Sequence, residues 1–166
     1  MKIVLPRILA LSLLVTGACA STPRPPQAPA PAAREGLQIR HTSVYVDDQD
    51  KALRFYTEVL GLAKKDDFSN SGYRWLTVMA PGDRDGSELQ LALADNPAAK
   101  TYQEALLQAN QPSLMLYTSD VKRDYERIKA RGAELTMPPT EVMAGSVIAQ
   151  LKDGCGNLIQ LTQLAK

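Results

Sequence analysis

The sequence predicts an α+β domain built from two tandem βαβββ modules. Three observations lead there. Strand-period and helix-period segments follow one another in the same order twice. Short stretches recur literally: Tyr45 and Asp48 return 72 residues later as Tyr117 and Asp120, and Gly86-Ser-Glu-Leu-Gln90-Leu returns as Gly156-Asn-Leu-Ile-Gln160-Leu. Each strand set is aliphatic on one parity and aromatic or polar on the other, the contrast expected between a helix-packed face and a lined small-molecule pocket.

In the first module, Gln38 to Val46 alternates as a strand, with His41, Ser43 and Tyr45 on one face and Thr42, Val44 and Val46 on the other. Asp47-Asp48 offers capping carboxylates to a helix with the stripe Ala52, Phe55, Tyr56, Val59 and Leu60, stopped at Gly61. Strands are expected at 62–68, 73–80 and 87–93, divided by the turn-rich 69–72 and 81–83. Residues 96–110 read as a connecting helix capped by Asn96, with Ala98, Tyr102, Ala105, Leu106 and Ala109 inward. The second module repeats the order: a strand at 113–118, a helix at 121–131 with Val121, Tyr125 and Ile128 inward, and strands at 133–137, 146–152 and 157–164. Met137-Pro138-Pro139 reads as a turn. Periodicity by itself suggests that each sheet is antiparallel. Its polar parity carries Trp75, Thr77, Glu88 and Gln90 in the first module, and Ser113, Met115, Tyr117, Leu158, Gln160 and Thr162 in the second.

Residues 1–36 belong to no fold. Lys2 and Arg7 precede an uncharged apolar run, Ile8 to Val15, which is far short of the about 20 residues that span a bilayer. Small residues close it, and two cleavages fit. Ala18-Cys19-Ala20 suits ordinary secretion after residue 20, whereas Val15-Thr16-Gly17-Ala18-Cys19 resembles a bacterial lipobox that cleaves after residue 18 and acylates Cys19. The Pro/Ala tract Ser21–Ala33 suits a tether, so residues 19–36 are assigned as a linker and 37–166 as the domain, with modules 37–95 and 112–164. The expectation is an exported chain on the periplasmic side. Ala20 after the cysteine points to the outer membrane, with the membrane contacted through a lipid on Cys19.

Composition sets firm limits. The 166 residues carry 19 basic and 18 acidic side chains, which leaves no electrostatic footprint for nucleic acid. Two cysteines make no disulfide framework, and Cys155 reads as a buried free thiol. A single histidine, His41, forbids any multi-histidine metal site within one chain.

The run from His41 to Asp48 followed by Ala52 to Leu62, together with the ending Asp153-Gly-Cys-Gly-Asn157-Leu-Ile-Gln160-Leu, resembles the vicinal oxygen chelate superfamily. That superfamily includes glyoxalase, bleomycin-resistance and ring-cleaving dioxygenase relatives. The resemblance spans residues 38–164 and implies two modules forming a cupped mixed sheet around one cavity. It also implies a divalent ion, such as nickel, zinc or manganese, at four strand positions. Those positions match His41, then Glu88 or Gln90, then Ser113, then Gln160. Residue type favours Glu88 for the second position and spacing from Gly86 favours Gln90, so both stay open. His41, Glu88 and Gln160 are the candidate ligands, and Glu88 is also the candidate base for moving a proton between carbons. Tyr45, Trp75, Gln90, Ser113, Met115 and Tyr117 are the candidate pocket lining.

Two functions follow from the resemblance. One is a metal-assisted lyase or isomerase acting on a small dicarbonyl or thiohemiacetal. The other is a metal-free protein that captures a drug or metabolite. Ring-cleaving dioxygenase chemistry needs two histidines and a carboxylate, which one chain cannot supply. The resemblance also makes a homodimer an expectation.

Overall fold

The computed structural model describes residues 36–83 and 86–165. The export segment, Cys19 and the Pro/Ala tract lie outside the described residues, as do Arg84 and Asp85. Leu37 to Lys166 forms one compact unit. Among the described residues no helix is long and apolar enough to cross a membrane.

The first module runs β1 (His41–Val46), α1 (Gln49–Arg54), a π-helical turn (Phe55–Val59), β2 (Ala63–Asn70), β3 (Tyr73–Met79) and β4 (Glu88–Leu93). A connector, α2 (Pro97–Gln108), leads to β5 (Leu114–Tyr117), α3 (Val121–Ala130), β6 (Glu134–Glu141), β7 (Val147–Lys152) and β8 (Leu158–Gln163). The strands make two four-stranded sheets of the same order, β1-β4-β3-β2 and β5-β8-β7-β6. Both are mixed, not antiparallel. β1 pairs parallel with β4 and β5 with β8, because the helix in each module carries the chain across before the last strand returns beside the first.

Local chemistry explains the boundaries. The Asp48 carboxylate accepts the Asp50 and Lys51 amides at 2.9 Å, capping α1. The helix then widens, with Leu60 N–H donating to Phe55 O at 3.1 Å. Its last carbonyls take arginines from the other module: Arg127 donates to Leu60 O at 3.1 Å and Arg131 to Glu58 O at 2.9 Å.

Two further expectations are corrected. Met137-Pro138-Pro139 is no turn. It lies inside β6, an edge strand whose register against β7 shifts on both sides of Met137, where missing proline donors are tolerated. The buried residues of α2 are Ala99 and Gln103, with Tyr102 exposed, so the inward face is rotated from the apolar stripe. Gln103 causes this: its amide donates to Tyr45 O at 2.8 Å and Cys155 O at 2.7 Å, and those bonds outweigh burial of a tyrosine.

One apolar core serves both modules, with Val46, Tyr56, Leu76 and Leu91 from the first meeting Val121, Ile128, Leu151 and Ile159 from the second. Fully burying such side chains contributes about 1.5–3 kcal/mol each.

Candidate functional site

The first module presents its polar parity as an open face. In the parallel β1–β4 pair His41 stands opposite Glu88, and Ser43 opposite Gln90. His41 Nε2 lies 3.5 Å from Glu88 Oε2, with the carboxylate side chain 15% exposed and the imidazole 47%. The fully buried Thr77 holds that carboxylate, its hydroxyl donating to Glu88 Oε2 at 2.8 Å while accepting the Asp66 N–H at 3.1 Å. The imidazole meets Trp75 edge-on, ring centroids 5.5 Å apart, and Trp75 stacks on Phe68 at 6.5 Å. Gln90 is committed elsewhere: Ser43 donates to its oxygen at 2.7 Å, and its amide donates to the Tyr73 hydroxyl. Of the two residues left open for the first module, Glu88 is therefore the neighbour of His41.

The second module's counterpart residues stand on β5 and β8, where Met115 pairs with Gln160 and Tyr117 with Thr162. Met115 and Tyr117 are exposed. Gln160 donates to Thr162 Oγ1 at 3.1 Å and accepts from Gln150 at 3.4 Å. Ser113 donates to Asn157 Oδ1 at 3.2 Å or Leu158 O at 3.3 Å. A divalent ion needs three or more convergent N, O or S donors. His41 and Glu88 supply two. Among the described residues no group of three or more His, Cys, Asp or Glu could hold a metal ion. The donor set of one chain does not fit the group, because Gln90, Ser113 and Gln160 all have side-chain hydrogen bonds elsewhere.

A cavity of about 520 Å³ lies where α2 crosses β1, lined by Ser43 and Tyr45 of the first module, Ser113 and Asn157 of the second, and Asn96, Tyr102 and Leu106 of the connector. Of the pocket residues expected from sequence, Tyr45 and Ser113 are in it, and Trp75 and Gln90 are on the His41 face. Sequence reasoning missed Tyr102 by assigning it to the core. It also missed Phe68 and Tyr73, whose signal was their position flanking the Ser69–Gly72 turn, on the same hairpin as Trp75.

The family-like ending proves to be scaffold in this chain. Asp153, 2% exposed, accepts Cys155 N, Asn157 N, Asn157 Nδ2 and the Tyr56 hydroxyl at 2.7–3.2 Å. Burial raises the Asp153 carboxyl above its ordinary range despite these donors. Cys155 is likewise pushed up to about 12 by burial and then by the charge of Asp153, so it stays a thiol. Asn157 also donates to Tyr45 O at 2.7 Å, tying the turn to β1.

The family model of the Glyoxalase/Bleomycin resistance protein/Dioxygenase superfamily matches residues 38–161. The Uncharacterized protein YurT of Bacillus subtilis (strain 168) is 43% identical over 127 residues, 76% of this chain and 99% of that protein. A Probable lactoylglutathione lyase of Vibrio cholerae is 29% identical over 128 residues, covering 76% and 90%. Among solved structures, TnmS3, an antibiotic binding protein from Streptomyces sp. CB03234, superposes with a TM-score of 0.61 at 29% identity, covering 80% of this chain and 100% of that one.

Proposed function

Because the chain belongs to the Glyoxalase/Bleomycin resistance protein/Dioxygenase superfamily, we propose that it captures a small aromatic molecule on the first module's open face, without a metal. One observation carries this reading. Of the four strand positions at which the superfamily's metal enzymes place ligands, this chain supplies an imidazole and, beside it, one carboxylate, while Gln90, Ser113 and Gln160 are held in other hydrogen bonds. What remains is an aromatic slab, Phe68 on Trp75 with His41 at its edge, which can stack a flat ligand, and a carboxylate that can orient it. TnmS3, an antibiotic binding protein of the same fold, supports small-molecule capture.

A second reading is a lyase or isomerase on a small dicarbonyl or thiohemiacetal with Glu88 as base. It is favoured by the 3.5 Å His41–Glu88 approach and by the likeness to the Vibrio lyase. Loading with nickel, zinc or manganese followed by exhaustive dialysis separates the two. The capture reading expects no retained ion and quenching of Trp75 by an aromatic ligand. Retention near one ion per chain, lost in His41→Ala, would overturn it in favour of the lyase.

The proposal extends to export and a lipid on Cys19, supported by the apolar run, the lipobox-like residues and the Pro/Ala tract. Labelled palmitate incorporation, abolished in Cys19→Ser, tests it. A homodimer is also part of the proposal, and equilibrium sedimentation tests that.

A further inference from the structure

The fold leaves two tyrosines unused at one place. On α2 the buried positions are Ala99 and Gln103, which turns Tyr102, 57% exposed, toward Tyr45 of β1. The two rings meet edge-on with centroids 6.4 Å apart at the mouth of the 520 Å³ cavity. That volume is in the range of organic-ligand sites, about 300–1,000 Å³. None of the described residues lining it carries a charge. Neither His41, Glu88 nor Trp75 contributes to it.

Its walls are fixed before any ligand arrives. The Gln103 amide donates to Tyr45 O and Cys155 O, and the Asn157 amide donates to Tyr45 O, so α2, β1 and the turn before β8 are held together by one buried and two part-buried bonds. Such a cavity loses little ordering entropy on binding. The hydrogen-bond inventory then sets the ligand's polarity. The Ser43 hydroxyl spends its proton on Gln90 Oε1, and the Ser113 hydroxyl spends its own on Asn157 Oδ1 or Leu158 O. Both oxygens therefore remain as acceptors facing the cavity, and they call for a donor. A carboxylate would find only neutral donors, the Asn96 amide and the Tyr45 and Tyr102 hydroxyls, and no cation; an ammonium would meet no carboxylate. Both would be desolvated without a counter-charge.

We propose that this cavity, between the connector helix and β1, is a second small-molecule site, selective for an uncharged hydroxylated aromatic of two or three fused rings. The ring system packs between Tyr45, Tyr102 and Leu106, and its hydroxyl donates to Ser43 or Ser113. The site shares β1 with the His41 face but takes in none of His41, Glu88 or Trp75, so either can fail without the other.

The test uses the full chain and the neutral phenol 9-phenanthrol, with phenanthrene-9-carboxylate as the charged comparator. Binding is followed by calorimetry and by amide shifts in the NMR spectrum. The expected result is saturable binding of the phenol with shifts at Ser43, Ala99 and Ser113. Ala98→Trp, on the exposed lining of α2, is expected to weaken the binding read at the Ala99 and Ser113 amides about tenfold or more, while Lys129→Gln, on α3 and in neither site, leaves it within about twofold. If Ala98→Trp does not fold, the shift map on the wild-type chain decides by itself. No binding of the phenol, shifts confined to Phe68 and Trp75, or equal affinity for the carboxylate would each overturn the proposal.

Discussion

Thr77 is the residue on which Glu88 depends. Its hydroxyl has no exposure, donates to Glu88 Oε2 and accepts the Asp66 amide, so two groups lose a partner when it goes. Thr77→Val keeps the shape and removes the bonds. It is expected to cost about 1–2 kcal/mol in urea unfolding, since an orphaned part-buried donor, the Asp66 amide, and a part-buried carboxylate are not fully rehydrated. A variant unchanged in midpoint would show that water replaces the hydroxyl. Cys155 carries the opposite lesson. With its thiol pushed up to about 12 and its side chain buried, iodoacetamide at about pH 8 should leave it unmodified in the native chain and label it on unfolding. Mass spectrometry of the Cys155 peptide reads the outcome, and native labelling would mean that the β7–β8 turn opens.

At the scale of elements, what the sequence made legible depended on whether apolar period was the deciding force. α1 and α3 have the expected stripes because they pack on sheets with apolar side chains: Ala52 and Tyr56, and Val121 and Ile128. The connector breaks the rule because a glutamine there has three acceptors within reach. That His41 shares a face with Glu88 and Gln90 was legible from parity, but that Glu88 stands opposite it was not, because the two candidates have the same parity and only the β1–β4 register separates them. Which partners Gln160 would choose was not legible either, since its oxygen meets the Gln150 amide only through the β7–β8 register while its own amide turns to Thr162. Two substitutions expose the difference. Gln103→Leu would improve an apolar stripe, yet it is expected to destabilise by about 2–3 kcal/mol, since Cys155 O is left without the amide that meets it. Asn96→Ala, which removes the side-chain oxygen accepting Ala99 N at 2.8 Å, should cost about 1 kcal/mol. Thermal unfolding ranks the two, and a neutral Gln103→Leu would return the helix to the apolar-period reading.

For the whole molecule, acid stability is the sum of carboxylates pulled in opposite directions. Asp67 is held down to about 2 by hydrogen bonds from Arg74, with Lys64 assisting, against an ordinary value of 3.8. Burial raises Asp124, but the Thr118 hydroxyl and Arg127 outweigh it and leave that carboxyl below its ordinary value. Both contribute stability that is complete above the unfolded value and is lost as pH falls toward the folded one. Asp153 has the reverse sign. Burial raises it, so its charge disfavours the fold at neutral pH, and protonation relieves that cost. The midpoint temperature should therefore fall between about pH 4 and pH 2 as Asp67 titrates, and less steeply than Asp67 and Asp124 alone would dictate. Asp67 also shares Arg74 with Asp50, whose carboxylate lies 2.7 Å from the guanidinium, so the arginine joins β3 to both β2 and α1. Asp67→Asn removes the titrating group while Asp50 keeps Arg74 paired. The variant is expected to melt lower than wild type at pH 6 and to approach it at pH 2, flattening the acid limb of the melting curve. A constant offset at every pH would mean that Asp67 acts through packing or neutral hydrogen bonds, and that the ion pair with Arg74 does not set the acid response.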